Sequence, residues 1–399
     1  MKILQLCKKY PYPLKDGESI AIVQLSQALC QLGASISLLA MNTRRHWYAG
    51  KDIPPALQHY ERVWTVEVDN RIRLQTAFCN LFSTRPYHVE RFYSETFARK
   101  LAETLLQETF DIILMETIYL TPFAPIVRQY SRARLVLRTH NVESEIWERV
   151  AAHSPVVKRQ YLQLQAQRLK RFEQQHINDG DLLAGISERD VCTFRSWGLK
   201  RPAVVVPIGV DAAAYVPDER PFHGPMKLCF IGSLDWMPNI EGLKWFLQRI
   251  WSPLLAPAFP EITFHIAGRN PPSWVSTLRM PRVHVHGEVP DAVAFLNAYP
   301  IVVVPLLAGG GMRAKIVEAM ALGRVVISTS VGLEGIPARH GHEVLVADHP
   351  TAFAEAMRFC MEQGSQLVHM GRRARIFCKT HFDRTRLAKH LLFACQEVS

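Results

Sequence analysis

Arg313, Lys315 and Glu318 stand directly behind the glycine run Gly309, Gly310 and Gly311, in GGGMRAKIVEAMALG. Glycines without a Cβ let the chain turn sharply and let a ligand come close to the backbone. The helix expected behind them points unpaired N–H groups and its positive dipole end at the same place. That is the chemistry of a phosphate site. Arg313 and Lys315 in the first turn oppose the helix dipole, at about 0.3–1 kcal/mol each unless an anion compensates them. Lys315 and Glu318 share a helical face, so an exposed ion pair is the other reading of this segment.

A second candidate is His140 with Asn141, in RTHNVESEIWERV. They follow an apolar run, and the carboxyl end of a strand is the ligand-facing edge of an open α/β sheet. An imidazole there can donate to an oxyanion or a sugar hydroxyl. A structural histidine is the alternative; the polar neighbours Asn141 and Glu143 favour function, while Trp147 reads as core. Gly17 opens a helix after the first strand, with Ile22, Leu25, Leu29 and Leu32 on one face. Gly33 ends it.

These positions need strands and helices to hold them. YPIVVVPLL, before the glycine run, is too short for a membrane span and rich in β-branched residues, so it reads as a buried parallel strand. Similar runs at 2–6, 35–41, 111–115, 135–139, 182–186 and 204–207 make a first set of strands. A second set lies at 227–231, 263–267, 283–286, 301–305, 325–328 and 344–346. Strands alternating with helical patterns give an α/β chain with two Rossmann-like halves. At 399 residues two domains are expected. The segment IGVDAAAYVPDERPFHG suits a linker, which divides domain 1–207 from domain 208–375.

Composition narrows the function classes. Hydrophobic residues make up 48% and charged residues 21%, an ordinary globular balance. No apolar stretch is long enough to cross a bilayer, and MKILQLCKKYPYP lacks a signal-peptide core, so a cytoplasmic location is expected. Eight scattered cysteines without a C-x-x-C pair argue for reduced, mostly buried thiols, and no metal site is expected. The net charge of +11 points to a negatively charged partner. Nucleic acid ranks low, because the aromatic residues do not cluster with Arg and Lys in a stacking module. The helix expected over 158–173 carries Lys158, Arg159, Arg168, Lys170 and Arg171 beside a stripe of Leu162, Ala166, Leu169 and Phe172. It is read either as lying on anionic lipid headgroups or as a solvated basic face.

Taken in order, the motifs resemble the family-4 glycosyltransferases of the GT-B fold, over essentially the entire chain. The resemblance runs through Asp16–Gly17, THNVES at His140, LLAGIS, VVPIGVD, FIGSLDWMPNIEGLKWF with Gly232, HIAG, the glycine run with its helix, and VGLEGIPARHGHEVLVAD. It implies two doubly wound domains facing across a cleft, with a terminal helix at 376–399 crossing back to the first. The nucleotide and diphosphate of an activated sugar would sit mainly against the second domain. Glu318 would accept from the ribose hydroxyls. The Gly311 and Met312 amides would meet the diphosphate or the sugar, and Arg313 or Lys315 would neutralise the leaving group. His140 would contact the donor sugar, and Gly17 would give the acceptor or β-phosphate room. Asn141, Gly232 and Gly310 join the donor-binding positions. Arg372, Arg373, Arg375 and Lys379 read as solvated.

The resemblance also implies retention of anomeric configuration, metal-independent transfer and no cofactor beyond the nucleotide diphosphate sugar as co-substrate. The acceptor would be a glycan or a lipid-linked glycan in cell-surface polysaccharide synthesis, at a possible anionic membrane surface on the inner face. Two departures stand out. The family pairs glutamates eight positions apart, and Gly310 occupies the place of the first. The arginine and lysine common after the first strand of the second domain are missing, with Ser233 and Asn239 nearest. A degenerate nucleotide-sugar-binding protein, which Gly310 favours, and a nucleotide-sugar epimerase remain as alternatives.

Overall fold

A computed structural model of the chain describes residues 1–50, 52–152 and 154–397. It divides into two compact units, Met1–Gly209 with the chain from Arg384 onward, and Val210–Asp383. The helix Gly364–His381 runs unbroken through residue 375, where the sequence suggested a division, and the chain changes unit between Asp383 and Arg384.

The first unit is built on seven parallel strands in the order β3-β2-β1-β4-β5-β6-β7. They are β1 (Lys2–Cys7), β2 (Ser35–Thr43), β3 (Arg62–Val68), β4 (Ile112–Met115), β5 (Arg134–Thr139), β6 (Leu182–Gly185) and β7 (Ala203–Val205). Apolar runs form these strands because helices cover both faces, so alternate residues all need burial. Leu4, Leu39, Ile113 and Leu135 enter one core. Ile3, Leu38, Leu114 and Val136 enter the other. β3 was not foreseen. It lies at the sheet edge, half exposed, and its VWTVEV alternates where the central strands are continuously apolar.

Helix α1 (Gly17–Gln31) buries Ile22, Leu25 and Leu29 in the second of these cores. Asp16 caps it, accepting from the Ser19 amide at 3.0 Å, and Gly33 reverses the chain at φ +87°. The terminal helix (Arg384–Glu397) joins the same core through Leu387, Leu391 and Cys395. Arg384 donates to Gln24 and Gln27 of α1 at 2.8 and 2.9 Å. The long basic helix (Val156–His176) buries Leu162, Ala166 and Leu169, with Phe172 packed against the first core.

The second unit has six parallel strands in the order β10-β9-β8-β11-β12-β13. They are β8 (Lys227–Ile231), β9 (Thr263–Ala267), β10 (Val283–Gly287), β11 (Ile301–Val304), β12 (Val325–Ser328) and β13 (Leu345–Val346). Phe230, Phe246, Trp251 and Phe264 anchor its core. In both sheets the strand order reverses beside the first strand, between β1 and β4 and between β8 and β11. At such a switch point the connections leave in opposite directions and open a crevice at the strands' carboxyl ends. Among the described residues, no helix is long and apolar enough to cross a membrane. Five of the eight thiols are buried; Cys30 is half-buried and Cys79 and Cys192 are exposed.

Candidate functional site

In the second unit glycine follows both switch-point strands, Gly232 directly after β8 and Gly309 to Gly311 in the loop beyond β11. Gly309 and Gly311 take φ of 141° and 72°, values that side chains disfavour, and this is why the turn needs glycine. The helix behind, Ala314–Ala321, makes its first hydrogen bonds from Ile316 and Val317 to the Arg313 carbonyl. The amides before Ile316 precede that ladder and face the anion-binding end of the helix. Arg313 turns back on its own loop and donates to the carbonyls of Gly310 and, at 2.5 Å, Gly311. Met312 is buried beside it.

Lys315 reaches the end of β8. Its Nζ donates to Asn239 Oδ1 at 3.0 Å and sits 4.7 Å from the centre of the Phe230 ring. A Cβ on Gly232 would lie 2.7 Å from that Nζ and 2.9 Å from Asn239 Nδ2, so the glycine makes room for both. Burial and the neighbouring Arg313 push the Lys315 pKa down to about 7, against the pull of Glu318. Asn239 also donates to the Ser233 carbonyl at 2.9 Å. Arg269, at the end of β9, donates to Ser233 Oγ at 2.6 Å. Arg269 from the adjacent strand and Lys315 from the helix thus both reach the turn after β8.

Glu318 accepts from the Tyr215 hydroxyl at 3.2 Å. Burial raises its pKa, with Tyr215 and Lys315 opposing. Arg375, read from sequence as solvated, donates to the carbonyls of Ala212 (2.9 Å), Tyr215 and Ala321, and so fixes Tyr215 against Glu318. Its neighbours are engaged too: Arg372 binds Glu219 with two bonds of 2.8 Å, and Arg373 donates to the His342 carbonyl at 2.9 Å. The unit therefore offers helix-end amides, two cations and a carboxylate near one glycine-lined turn. Such a set can hold a diphosphate and a hydroxyl-bearing neighbour.

In the first unit, Lys8 and Lys9 follow β1, Glu116 follows β4 and His140 follows β5, all at carboxyl ends. Glu116 is fully buried, accepting from Arg138 Nη1 at 3.1 Å and from Gln5, with His140 Nε2 at 2.8 Å. Burial works to raise its pKa, but Arg138 and His140 outweigh it and hold the carboxyl below its usual range. Glu116 thus engages His140 through Nε2 and orients the ring at the strand end. Asn141 is half-buried at the same strand end.

Gly17 sits between two engaged carboxylates. Asp16 accepts from Lys9 Nζ at 2.7 Å, and Glu18 lies 3.4 Å from both Lys8 and Lys9. Burial opposes ionisation of Glu18, yet Lys8, Lys9 and His140 bring its pKa down to about 2. Gly17 and His140 therefore border one charged cluster. The sequence reading missed Lys8, Lys9, Glu18 and Glu116; Lys8, Lys9 and Glu116 stand just beyond a strand end, which was the available signal, and Glu18 lies in the first turn of α1. Among the described residues no group of histidine, cysteine and carboxylate side chains could hold a metal ion. The Asp179 and Asp181 carboxylates, one residue apart, are engaged by His176 at 2.6 Å and by Arg128 at 2.7 and 2.9 Å.

Compared with known proteins, residues 225–363 match the family described as Glycosyl transferases group 1. An uncharacterised 44.6 kDa protein in the cps region of Klebsiella pneumoniae is 23% identical over 373 residues, 89% of each chain. Among solved structures, Anabaena Alr3699/HepE in complex with UDP and glucose superposes with a TM-score of 0.68 at 15% identity, over all of both chains. Sucrose-phosphate synthase from Thermosynechococcus elongatus gives 0.72 at 16% identity, covering all of this chain and 99% of that one. These likenesses are of fold, and the fold is GT-B.

Proposed function

We propose that this chain, whose residues 225–363 match the glycosyl transferases group 1 family, is a retaining glycosyltransferase. It moves a sugar from a nucleotide diphosphate sugar to a glycan or lipid-linked acceptor in cell-surface polysaccharide synthesis. The observation that carries this reading is the convergence of Lys315, Asn239 and Gly232 beside a glycine turn and helix start, with Glu318 one turn further on. A diphosphate leaving group needs that positive charge as its bond to the sugar breaks. The relative in a cps (capsule polysaccharide) region supports the polysaccharide setting.

In the proposed step the acceptor hydroxyl bonds to the anomeric carbon on the face from which the diphosphate leaves. The bond between that carbon and the β-phosphate oxygen breaks, and the departing phosphate takes the hydroxyl proton. The protein supplies position and electrostatics. Lys315, Arg313 and the loop amides neutralise the diphosphate, Glu318 accepts from ribose hydroxyls, and His140 contacts the donor sugar. With amides and ammonium groups doing this, the reading requires neither a metal nor a resident cofactor. Its place is the cytoplasm, at the inner membrane face.

The test is sugar transfer from a panel of nucleotide diphosphate sugars in EDTA, beginning with UDP-glucose because HepE was solved with UDP and glucose. A lipid-linked glycan extract serves as acceptor, and the product anomer is read by NMR. Transfer with retention, lost in Glu318→Ala, is expected. Donor binding without transfer would instead favour a degenerate binder, the reading Gly310 supports. Isomerised donor without nucleotide release would mean an epimerase.

A further inference from the structure

Phe82 is 84% exposed and Phe78 is 63% exposed, the two rings meeting edge to face at 5.8 Å. They lie on the helix Leu74–Cys79 and the turn Asn80–Phe82 that continues it. Ile72, 67% exposed, and Leu81 extend the patch. Single exposed apolar residues are ordinary on a protein surface, whereas four large ones within eleven positions mark a contact surface.

The patch is held outward by design of its backbone. Asn80 is buried and donates to the Arg85 carbonyl at 2.9 Å and to Glu90 at 2.6 Å. Gln165 donates to Asn80 Oδ1 at 2.8 Å. Arg168, from the long basic helix, donates to the Asn80 carbonyl at 2.7 Å and the Leu81 carbonyl at 2.9 Å. With the backbone fixed from beneath, Phe82 points to solvent and Leu81 stays partly exposed beside it.

The chain next to the patch is basic. Arg85, Arg168 and Arg171 line a cavity of 850 Å³ with Tyr93 and Phe172. The acids of this cavity are already engaged, Glu90 by Asn80 and Ser83, Asp179 by His176. Arg85 and Arg171 are exposed. The three arginines outnumber the carboxylates of Glu90 and Asp179 in the cavity lining and leave it net positive. Aromatic side chains flanked by such a surplus match a bilayer bearing anionic phospholipid: rings enter the boundary between headgroups and acyl chains, and cations meet lipid phosphate.

We propose that this surface docks the protein on an anionic phospholipid bilayer, with Phe78 and Phe82 inserted and Arg85 and Arg171 against lipid phosphates. The proposal deepens the functional reading and rests on its lipid-linked acceptor. It also moves the lipid contact expected on the basic helix, whose stripe of Leu162, Ala166 and Leu169 is buried in the core and has nothing to offer a membrane. That helix contributes through Arg168 and Arg171 instead.

The test is flotation of the full chain with vesicles of phosphatidylglycerol and phosphatidylcholine, and with phosphatidylcholine alone. The wild type should bind the anionic vesicles and be released by salt. F78S/F82S should weaken binding roughly tenfold or more, and R85E/R171E on the order of twentyfold, on anionic vesicles only. Both variants alter exposed side chains and should keep the wild-type circular dichroism and donor binding. Failure of the wild type to bind anionic vesicles, or unchanged binding by both variants, overturns the proposal. So does a wild-type dimer that F78S/F82S converts to a monomer, since a second copy would then cover the patch. Donor binding without vesicle binding defeats the docking surface and leaves the transferase standing; vesicle binding without donor binding does the reverse.

Discussion

A lysine held near pH 7 changes charge within the working range of an enzyme, and Lys315 is such a lysine. A bound diphosphate favours its ammonium form. Above pH 7 binding must therefore take up a proton, and affinity should fall by up to about tenfold per pH unit; below pH 7 it should level off. Titrating a nucleoside diphosphate from pH 6 to 9 by calorimetry checks this, and Lys315→Arg, which stays charged, should flatten the curve. A pH-independent affinity in the wild type would remove Lys315 from the site. Glu116→Gln tests the other unit. It leaves Arg138 fully buried opposite an uncharged amide, and should cost about 3–5 kcal/mol in urea denaturation. Lys315 and Glu318 were legible in the sequence because they share one short helix. Arg269, Tyr215 and Glu116 were not, because each meets its partner from a distant stretch of chain: Tyr215 and Glu318 are 103 residues apart.

At the scale of elements, two glycines at the mouth of the second sheet should answer differently to the same added methyl. On Gly232 it meets two side-chain ends, Lys315 Nζ and the Asn239 amide, which can give way more easily than backbone, so Gly232→Ala should lose less stability than Gly268→Ala while losing donor affinity. On Gly268 it would lie 2.0 Å from the Gly232 carbonyl oxygen, so β8 or β9 must move. Gly268→Ala should lose about 1–3 kcal/mol of stability. Denaturation of the two variants side by side reads the difference, and equal stability would mean the strand ends are not drawn together as described. Central strands such as Lys227–Ile231 and Val325–Ser328 were read from sequence with the observed bounds, because burial on both faces writes a nearly continuous apolar run. The edge strand Arg62–Val68 escaped, since one face meets water and its pattern alternates.

For the whole molecule, the two sheets repeat one strand order and each carries its charged residues at the reversal. That repetition was legible from the alternation of strands and helices. The acid response was not, because it depends on which histidines are buried. Burial pushes His59 and His265 down to about 4 and His88 to about 3, with His284 and then His286 adding to the effect on His265. Groups depressed in this way stabilise the fold above their unfolded pKa of about 6.5 and lose that contribution as pH falls toward 4. Glu173, raised by burial to about 8, acts in the opposite sense and is outnumbered. Scanning calorimetry should show a melting temperature that drops between pH 6.5 and 4; a flat profile to pH 5 would refute it.

The account depends on one anion site at the ends of β8 and β11. Its most direct measurement is calorimetric titration of uridine, guanosine, adenosine and cytidine diphosphates in EDTA, into the wild type, Lys315→Met and Glu318→Ala. At least one diphosphate should bind, and each variant, folded as judged by circular dichroism, should weaken that binding roughly tenfold or more, the loss of a charged hydrogen bond. If none of the diphosphates binds, or both variants bind like the wild type, the site is not where the sugar donor is held.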